Sequence, residues 1–151
     1  MKFNILPTNP LLSCVGMITD ILISLDDKYL YLSNWLHGDI RQYDISDTDN
    51  PKLVGQVFLG GSILSDSNVR VTRDEELSSQ PDPVRVKGRR LHGSPQMLQL
   101  SLDGRRLYVT TSIFKPWDQQ FYPELVKYAL SFRLFQLFLI RFESLHVLCV
   151  V

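Results

Sequence analysis

One ten-residue pattern is written twice in this chain. Ser24-Leu25-Asp26-Asp27-Lys28-Tyr29-Leu30-Tyr31-Leu32-Ser33 aligns without a gap with Ser101-Leu102-Asp103-Gly104-Arg105-Arg106-Leu107-Tyr108-Val109-Thr110. Each copy closes a strand, makes a tight acidic turn and opens a strand in which apolar and polar positions alternate. Asp-Gly in the second copy is a strong hairpin-turn signal. Self-similarity of this kind marks solenoids and propellers, whose units bury their apolar faces only against neighbours. A repeat therefore limits the chain to architectures built by stacking.

The residues around the first copy complete a unit. Strands are predicted over Ile18 to Leu25, Lys28 to Asn34, Ile40 to Ile45 and Lys52 to Leu59, separated by Asp-, Asn- and Gly-rich turns. Four short strands joined by polar turns make one antiparallel sheet of the kind found in a propeller blade. Residues 62–90 are more polar and read as a surface excursion, with one exposed strand at Val84 to Lys87. The two copies start further apart than one usual blade of about 40 to 50 residues. A propeller closes with at least about four blades, and this sequence supplies about two. Either other copies complete the ring, or the chain is a fragment of something larger, which is the reading favoured here. The expected organisation is an irregular lead-in at 1–17, blades at 18–128 and a divergent apolar tail at 129–151. The expected class is all-β.

Composition removes several functions. Lys plus Arg is 16 and Asp plus Glu is 16, giving a net charge of zero. A duplex-DNA binder normally carries a clustered basic surface, so no nucleic-acid partner is expected. Cys14 and Cys149 are too few for a disulfide scaffold, and no CxxC pair exists for zinc. Pro7 and Pro10 interrupt the N-terminal apolar run, which does not read as a signal peptide. Arg133, Arg141 and Glu143 interrupt the greasy tail, which does not read as a membrane helix. No GxSxG, GxGxxG, Walker or HExxH pattern is present.

Few residues remain to carry chemistry. His37 sits in Trp35-Leu36-His37-Gly38-Asp39, between two strands, where an imidazole can face a channel mouth. Imidazole suits copper. The plainer role is a turn histidine bonded to Asp39 or to backbone. Asp39 either orients the imidazole or caps the turn. His92 reads as an exposed turn residue, and His146 lies in the tail without a role. Neither cysteine has an obvious basic partner to activate it. Trp35, Tyr43, Trp117, Phe121 and Tyr122 read as sheet packing, Asp26, Asp27 and Asp103 as turn formers, and Gly60-Gly61 as a strand end.

Several continuous strings resemble the selenium-binding protein family, whose vertebrate members are also described as methanethiol oxidases. They are ITDILISLDDKYLYLSNWLHGDIRQYDISD, FLGGSI at Phe58 to Ile63, PQMLQLSLDGRRLYVTTS at Pro95 to Ser112 and WDQQFYPEL at Trp117 to Leu125. The resemblance covers about Met17 to Lys127. It implies a seven-bladed WD40-like propeller of which this segment is a later part. It further implies copper-dependent oxidation of a small thiol, methanethiol, with oxygen and water, giving formaldehyde, hydrogen peroxide and hydrogen sulfide. His37 would then be a copper ligand and catalytic residue, with the other ligands on blades that this chain lacks. The family's selenium-attaching cysteine lies in its N-terminal half, outside this sequence. Cytosolic location with nuclear and peripheral-membrane pools is implied too. Missing blades or another chain would close the ring. A non-enzymatic scaffold in intra-Golgi transport or redox regulation is the alternative, and a product with no stable fold is a third reading. The sequence departs from the family at NPLLSCVGM, at His92-Gly93-Ser94 in place of a glycine pair, and after Val126, where a late histidine is missing.

Overall fold

The computed structural model describes residues 2–4, 16–74, 76–86, 88–131, 137–141 and 146–150, with backbone alone at 2–4, at 73 and from residue 128 onward. Among the described residues, twelve strands and two helices follow one another. The unit around the first repeat forms as expected. Strands β2 (Ile18–Ile23), β3 (Tyr29–Asn34), β4 (Asp39–Asp44) and β5 (Lys52–Phe58) make one four-stranded antiparallel meander in the order β2-β3-β4-β5. The second copy seeds an equivalent sheet. Here β9 (Leu98–Leu100) and β10 (Arg106–Thr110) are extended by β11 (Leu137–Arg141) and β12 (His146–Val150), in the order β12-β11-β10-β9. Residues of the tail, expected to diverge from the blades, supply β11 and β12, the two strands beyond β10 in the second sheet.

Both hairpins use the same turn. Ser24 donates its hydroxyl to Asp26 Oδ1 at 2.6 Å and receives the Tyr29 amide at 2.9 Å. Ser101 donates to Asp103 and receives the Arg106 amide at 3.0 Å. Asp27 (φ 57°) and Gly104 (φ 67°) occupy the left-handed region at the same position of the turn. The Ser101 hydroxyl and the Arg105 amide hold the Asp103 carboxyl down at about 2. The turn aspartates are thus turn formers, as their positions indicated.

The two sheets pack face to face, as neighbouring sheets do in a propeller-like fold. Tyr31, Ile40, Leu98, Leu107 and Val109 form the buried cluster between them, with Leu22, Tyr29, Val57 and Leu100 packed around it. These are alternate positions of each strand, so one face of each sheet is apolar by its period of two. Full burial of such a side chain contributes about 1.5 to 3 kcal/mol. Polar groups fix the register of one sheet on the other. Asp20 Oδ2 accepts the Leu98 amide at 2.6 Å, while Thr19 and Ser33 hydroxyls donate to the Gln96 carbonyl at 3.0 and 2.8 Å.

Three expectations need correction. The chain is mostly β but not wholly so, because α1 (Lys115–Phe121) and α2 (Pro123–Ser131) follow β10. The lead-in is not wholly irregular, because β1 (Lys2–Asn4) pairs with β6 (Arg70–Arg73). The single exposed strand at Val84 to Lys87 is instead a small hairpin of β7 (Arg85–Val86) and β8 (Arg89–Arg90). The excursion before it is organised by one side chain. Gln80 donates to the carbonyls of Ile63, Leu64 and Val69 and accepts the Val71 amide. Cys14 lies outside the described residues, as do the side chains of His146 and Cys149.

Candidate functional site

The turn Trp35–Gly38, between β3 and β4, is held from several sides. Trp35 and Leu36 donate their amides to the Met17 and Gly16 carbonyls at 2.8 and 3.0 Å. Ser62 donates to the Leu36 carbonyl at 2.9 Å. Tyr122, from the junction of α1 and α2, donates its hydroxyl to the Trp35 carbonyl at 2.7 Å. Burial pushes the Tyr122 hydroxyl up to about 12, so it remains a donor across the accessible pH range. The fully buried Trp35 ring receives Phe121 and Tyr122 edge-on, with centroids 5.2 and 4.9 Å away. The aromatic residues of this region pack a junction, as expected of them.

Glycines let three backbones meet beside this turn. A Cβ on Gly38 would overlap the Gly60 carbonyl, and one on Gly60 would overlap the Gly93 carbonyl. Both residues have positive φ, which other residues rarely adopt. Gly60-Gly61 is therefore more than a strand end: it seats the turn carrying His37 against the segment carrying His92.

His37 is half-buried, and a Cβ on Gly16 would lie 3.3 Å from its Nδ1. Burial lowers its pKa, with the Arg41 charge acting the same way and Asp39 and Asp74 opposing. The ring is thus held toward the neutral form, the one that binds metals. Asp39 is fully buried, and its Oδ2 accepts Arg41 Nε at 2.8 Å and Gln56 Nε2 at 2.7 Å. That commits this oxygen to β4 and β5. The imidazole fits copper as one nitrogen donor, yet among the described residues no three His, Cys, Asp or Glu side chains converge as a ligand set. The described residues thus bring one half-buried imidazole to this turn and no ligand set around it.

A cavity lies elsewhere. A cleft of about 520 Å³ opens between the excursion, β8 and the α1–α2 junction, and His37 is not in its walls. Ser62, Arg90, His92, Phe121, Tyr122 and Leu125 are among those that line it. Arg90 is tied to Asp66 across its rim. His92 is half-buried here, not the exposed turn residue expected, and burial followed by the Arg90 charge lowers its pKa. Sequence reasoning missed this cleft because its walls come from three separated segments. The available signal was the pair Pro116 and Pro123, each a helix-start marker, in a stretch read only as packing.

Stacked four-stranded meanders joined by a glycine-rich junction define a propeller-like sheet protein. Comparison with known proteins places it further. Residues 3–134 match the profile of the 56 kDa selenium binding protein family (SBP56). The chain is 68% identical over 112 residues to "Methanethiol oxidase" of Xenopus tropicalis, covering 74% of this chain and 24% of that protein. It is 65% identical to "Methanethiol oxidase" of Homo sapiens over 112 residues, with the same coverage of 74% and 24%. It is also 63% identical to "Selenium-binding protein 2" of Mus musculus over 112 residues, again 74% and 24%. A crystal structure of a hypothetical selenium-binding protein from Sulfolobus tokodaii superposes with a TM-score of 0.60 at 34% identity, covering 98% of this chain and 29% of that one. The chain belongs to the SBP56 selenium-binding protein family. It spans about a quarter of the length of the curated relatives it matches.

Proposed function

We propose that this chain forms about two blades of a seven-bladed WD40-like propeller that oxidises methanethiol. The reaction takes methanethiol, oxygen and water to formaldehyde, hydrogen peroxide and hydrogen sulfide. Its identity of 68% to a protein named methanethiol oxidase, over most of its length, carries this reading. The repeated, face-to-face sheets support it, since they need further sheets before an axial channel exists. Copper would supply the redox chemistry between thiol and oxygen. His37 would give one neutral imidazole from the end of a blade, its ring kept uncharged by burial. The remaining ligands would come from other blades, so the chain by itself is inactive. The cytosol, with nuclear and peripheral-membrane pools, is the proposed setting. Among the described residues no helix is long and apolar enough to cross a membrane.

The test is reconstitution. The chain is combined with the parts of the Xenopus tropicalis relative that lie outside the shared segment, then loaded with copper. Peroxide release from methanethiol is expected from the mixture and not from the chain alone, and His37→Ala is expected to lower bound copper. Robust turnover by the chain alone overturns the partial-site reading. A folded, copper-bound mixture that releases no peroxide overturns the activity. If the mixture instead pulls down the same partners with His37→Ala and no copper, the non-enzymatic scaffold gains.

A further inference from the structure

The fold brings together the two tryptophans of the chain. Trp35 is fully buried and opens the turn that carries His37, while Trp117 stands in α1 with 38% of its surface in water. Their ring centroids are 6.2 Å apart. Phe121 bridges them, 5.2 Å from Trp35 and 6.1 Å from Trp117. The exposed Phe114 ring lies 6.3 Å from Trp117. A file of aromatic rings therefore runs from solvent to a residue two positions from His37. The buried Asp118 fixes its outer end, accepting the Ser112 hydroxyl at 2.5 Å and the Ile113 amide at 3.1 Å. Strands β3 and β10 are equivalents in the repeat, so the Trp35 turn and α1 leave the two sheets at the same end. Further sheets of a propeller pack on sheet faces, not on that end.

Packing accounts for Trp35, Phe121 and Tyr122. It gives no reason for an indole at position 117, set partly in water against a second indole. Indole is among the side chains most easily oxidised by one electron, and rings in near contact exchange an electron readily. Where the proton goes sets the direction. Trp35 Nε1 is buried and meets no acceptor among the described residues. An oxidised Trp35 therefore keeps its N–H proton and stays a radical cation, a strong enough oxidant to draw an electron from the next indole. Trp117 is open to water, which takes its proton, so the radical settles there. Tyr122, 4.9 Å from Trp35, is a closed branch. Its hydroxyl donates to a carbonyl, a weak base, and burial holds its pKa up at about 12.

We propose that Trp35 and Trp117 form a one-electron relay that carries oxidising equivalents from the His37 turn out to the surface of α1. The relay rests on the reading of this turn as part of a thiol-oxidising, oxygen-using site, which supplies both ends of the reaction. An oxygen-derived oxidant formed at the turn takes one electron from the Trp35 indole and is itself reduced. The Trp35 cation takes one electron from Trp117, whose N–H proton goes to water. The Trp117 radical then takes one hydrogen atom from a small thiol at the surface, and two thiyl radicals formed in this way join as a disulfide. Two passages thus convert two thiols to one disulfide, release two protons and deliver two electrons to the oxidant. The relay spares the His37 imidazole when the oxidant forms with no thiol in the site.

Flash photolysis of the whole chain tests the relay without copper. His37→Cys, in a background of Cys14→Ser and Cys149→Ser, carries a ruthenium bipyridyl label whose photo-oxidised form takes the place of the oxygen-derived oxidant. Transient absorption is expected to show the deprotonated tryptophan radical, with its lifetime shortened several-fold by added methanethiol. In Trp117→Phe the protonated radical cation of Trp35 is expected instead, with no response to the thiol. In Trp35→Phe the tryptophan-radical signal is expected to fall several-fold. A deprotonated radical that persists in Trp117→Phe overturns the relay, as does a full-sized signal in Trp35→Phe. A labelled chain that forms no tryptophan radical overturns it too. Far-UV dichroism establishes that each variant is folded, and should Trp35→Phe unfold, Trp117→Phe decides alone. Because the label supplies the oxidant, the relay can fail while the reconstituted mixture still oxidises methanethiol, and it can hold where that mixture does not.

Discussion

Asp27 and Gly104 show how one turn is met by two residues. Both occupy the left-handed region after the same serine–aspartate clamp. Glycine adopts that conformation without a steric penalty, whereas an L side chain pays for it, aspartate less than most. Space is not the issue at Gly104, since a Cβ there would meet only Leu25 Cδ1 at 3.8 Å. Gly104→Ala is therefore expected to destabilise the fold by about 1 kcal/mol through φ alone. Asp27→Gly removes the same strain from the first hairpin, offset by the looser unfolded chain, and its expected gain is a few tenths of a kcal/mol. Urea unfolding of the two variants beside the parent chain measures both. A loss in Asp27→Gly as large as that in Gly104→Ala would refute the equivalence of the turns.

At the scale of elements, the helices close the junction that the repeat leaves open. Tyr122 reaches from the α1–α2 boundary to the carbonyl of Trp35, across most of the described sequence. Removing its hydroxyl strands a buried acceptor without another change of shape. Tyr122→Phe is expected to cost about 1 to 2 kcal/mol. The loss should appear as a lower midpoint in thermal unfolding followed by tryptophan fluorescence, because the ring packs on Trp35. An unchanged midpoint would mean that the helices are not fastened to the β3–β4 turn. This junction also divides what was legible in the sequence from what was not. Strands β2 to β5 could be read to within a residue or two, since their alternation follows directly from one buried face. Strands β11 and β12 come from a nearly continuous apolar run, in which period two and period 3.6 look alike. The turn histidine His37 was legible as a position, and its burial was not. His92 was misjudged because Gly93 and Ser94 look like an exposed turn until α1 and α2 are laid beside them.

For the molecule as a whole, the interface between the two sheets decides whether there is one folded body or two marginal hairpin sets. An isolated small sheet has too little apolar cover to be stable in water. Leu107 sits at the centre of the shared face and is fully buried, touched by residues of both repeats. Its repeat counterpart Leu30 lies on the outer face instead, with Ile23 beside it in the register. The same residue type thus has two energetic meanings, set by whether a sheet covers it. Leu107→Ala leaves a cavity between sheets that are already pinned by Asp20 and Gln96, so little collapse can fill it. The expected loss is about 2 to 5 kcal/mol, independent of protein concentration. Ile23→Ala removes atoms that are half in water, and its intrinsic cost is below about 1 kcal/mol. Urea titrations of both variants beside the parent chain measure the two costs. Equal costs for the two substitutions would show that the sheets are not held by a single shared core, and would remove the basis for reading the repeat as stacked blades.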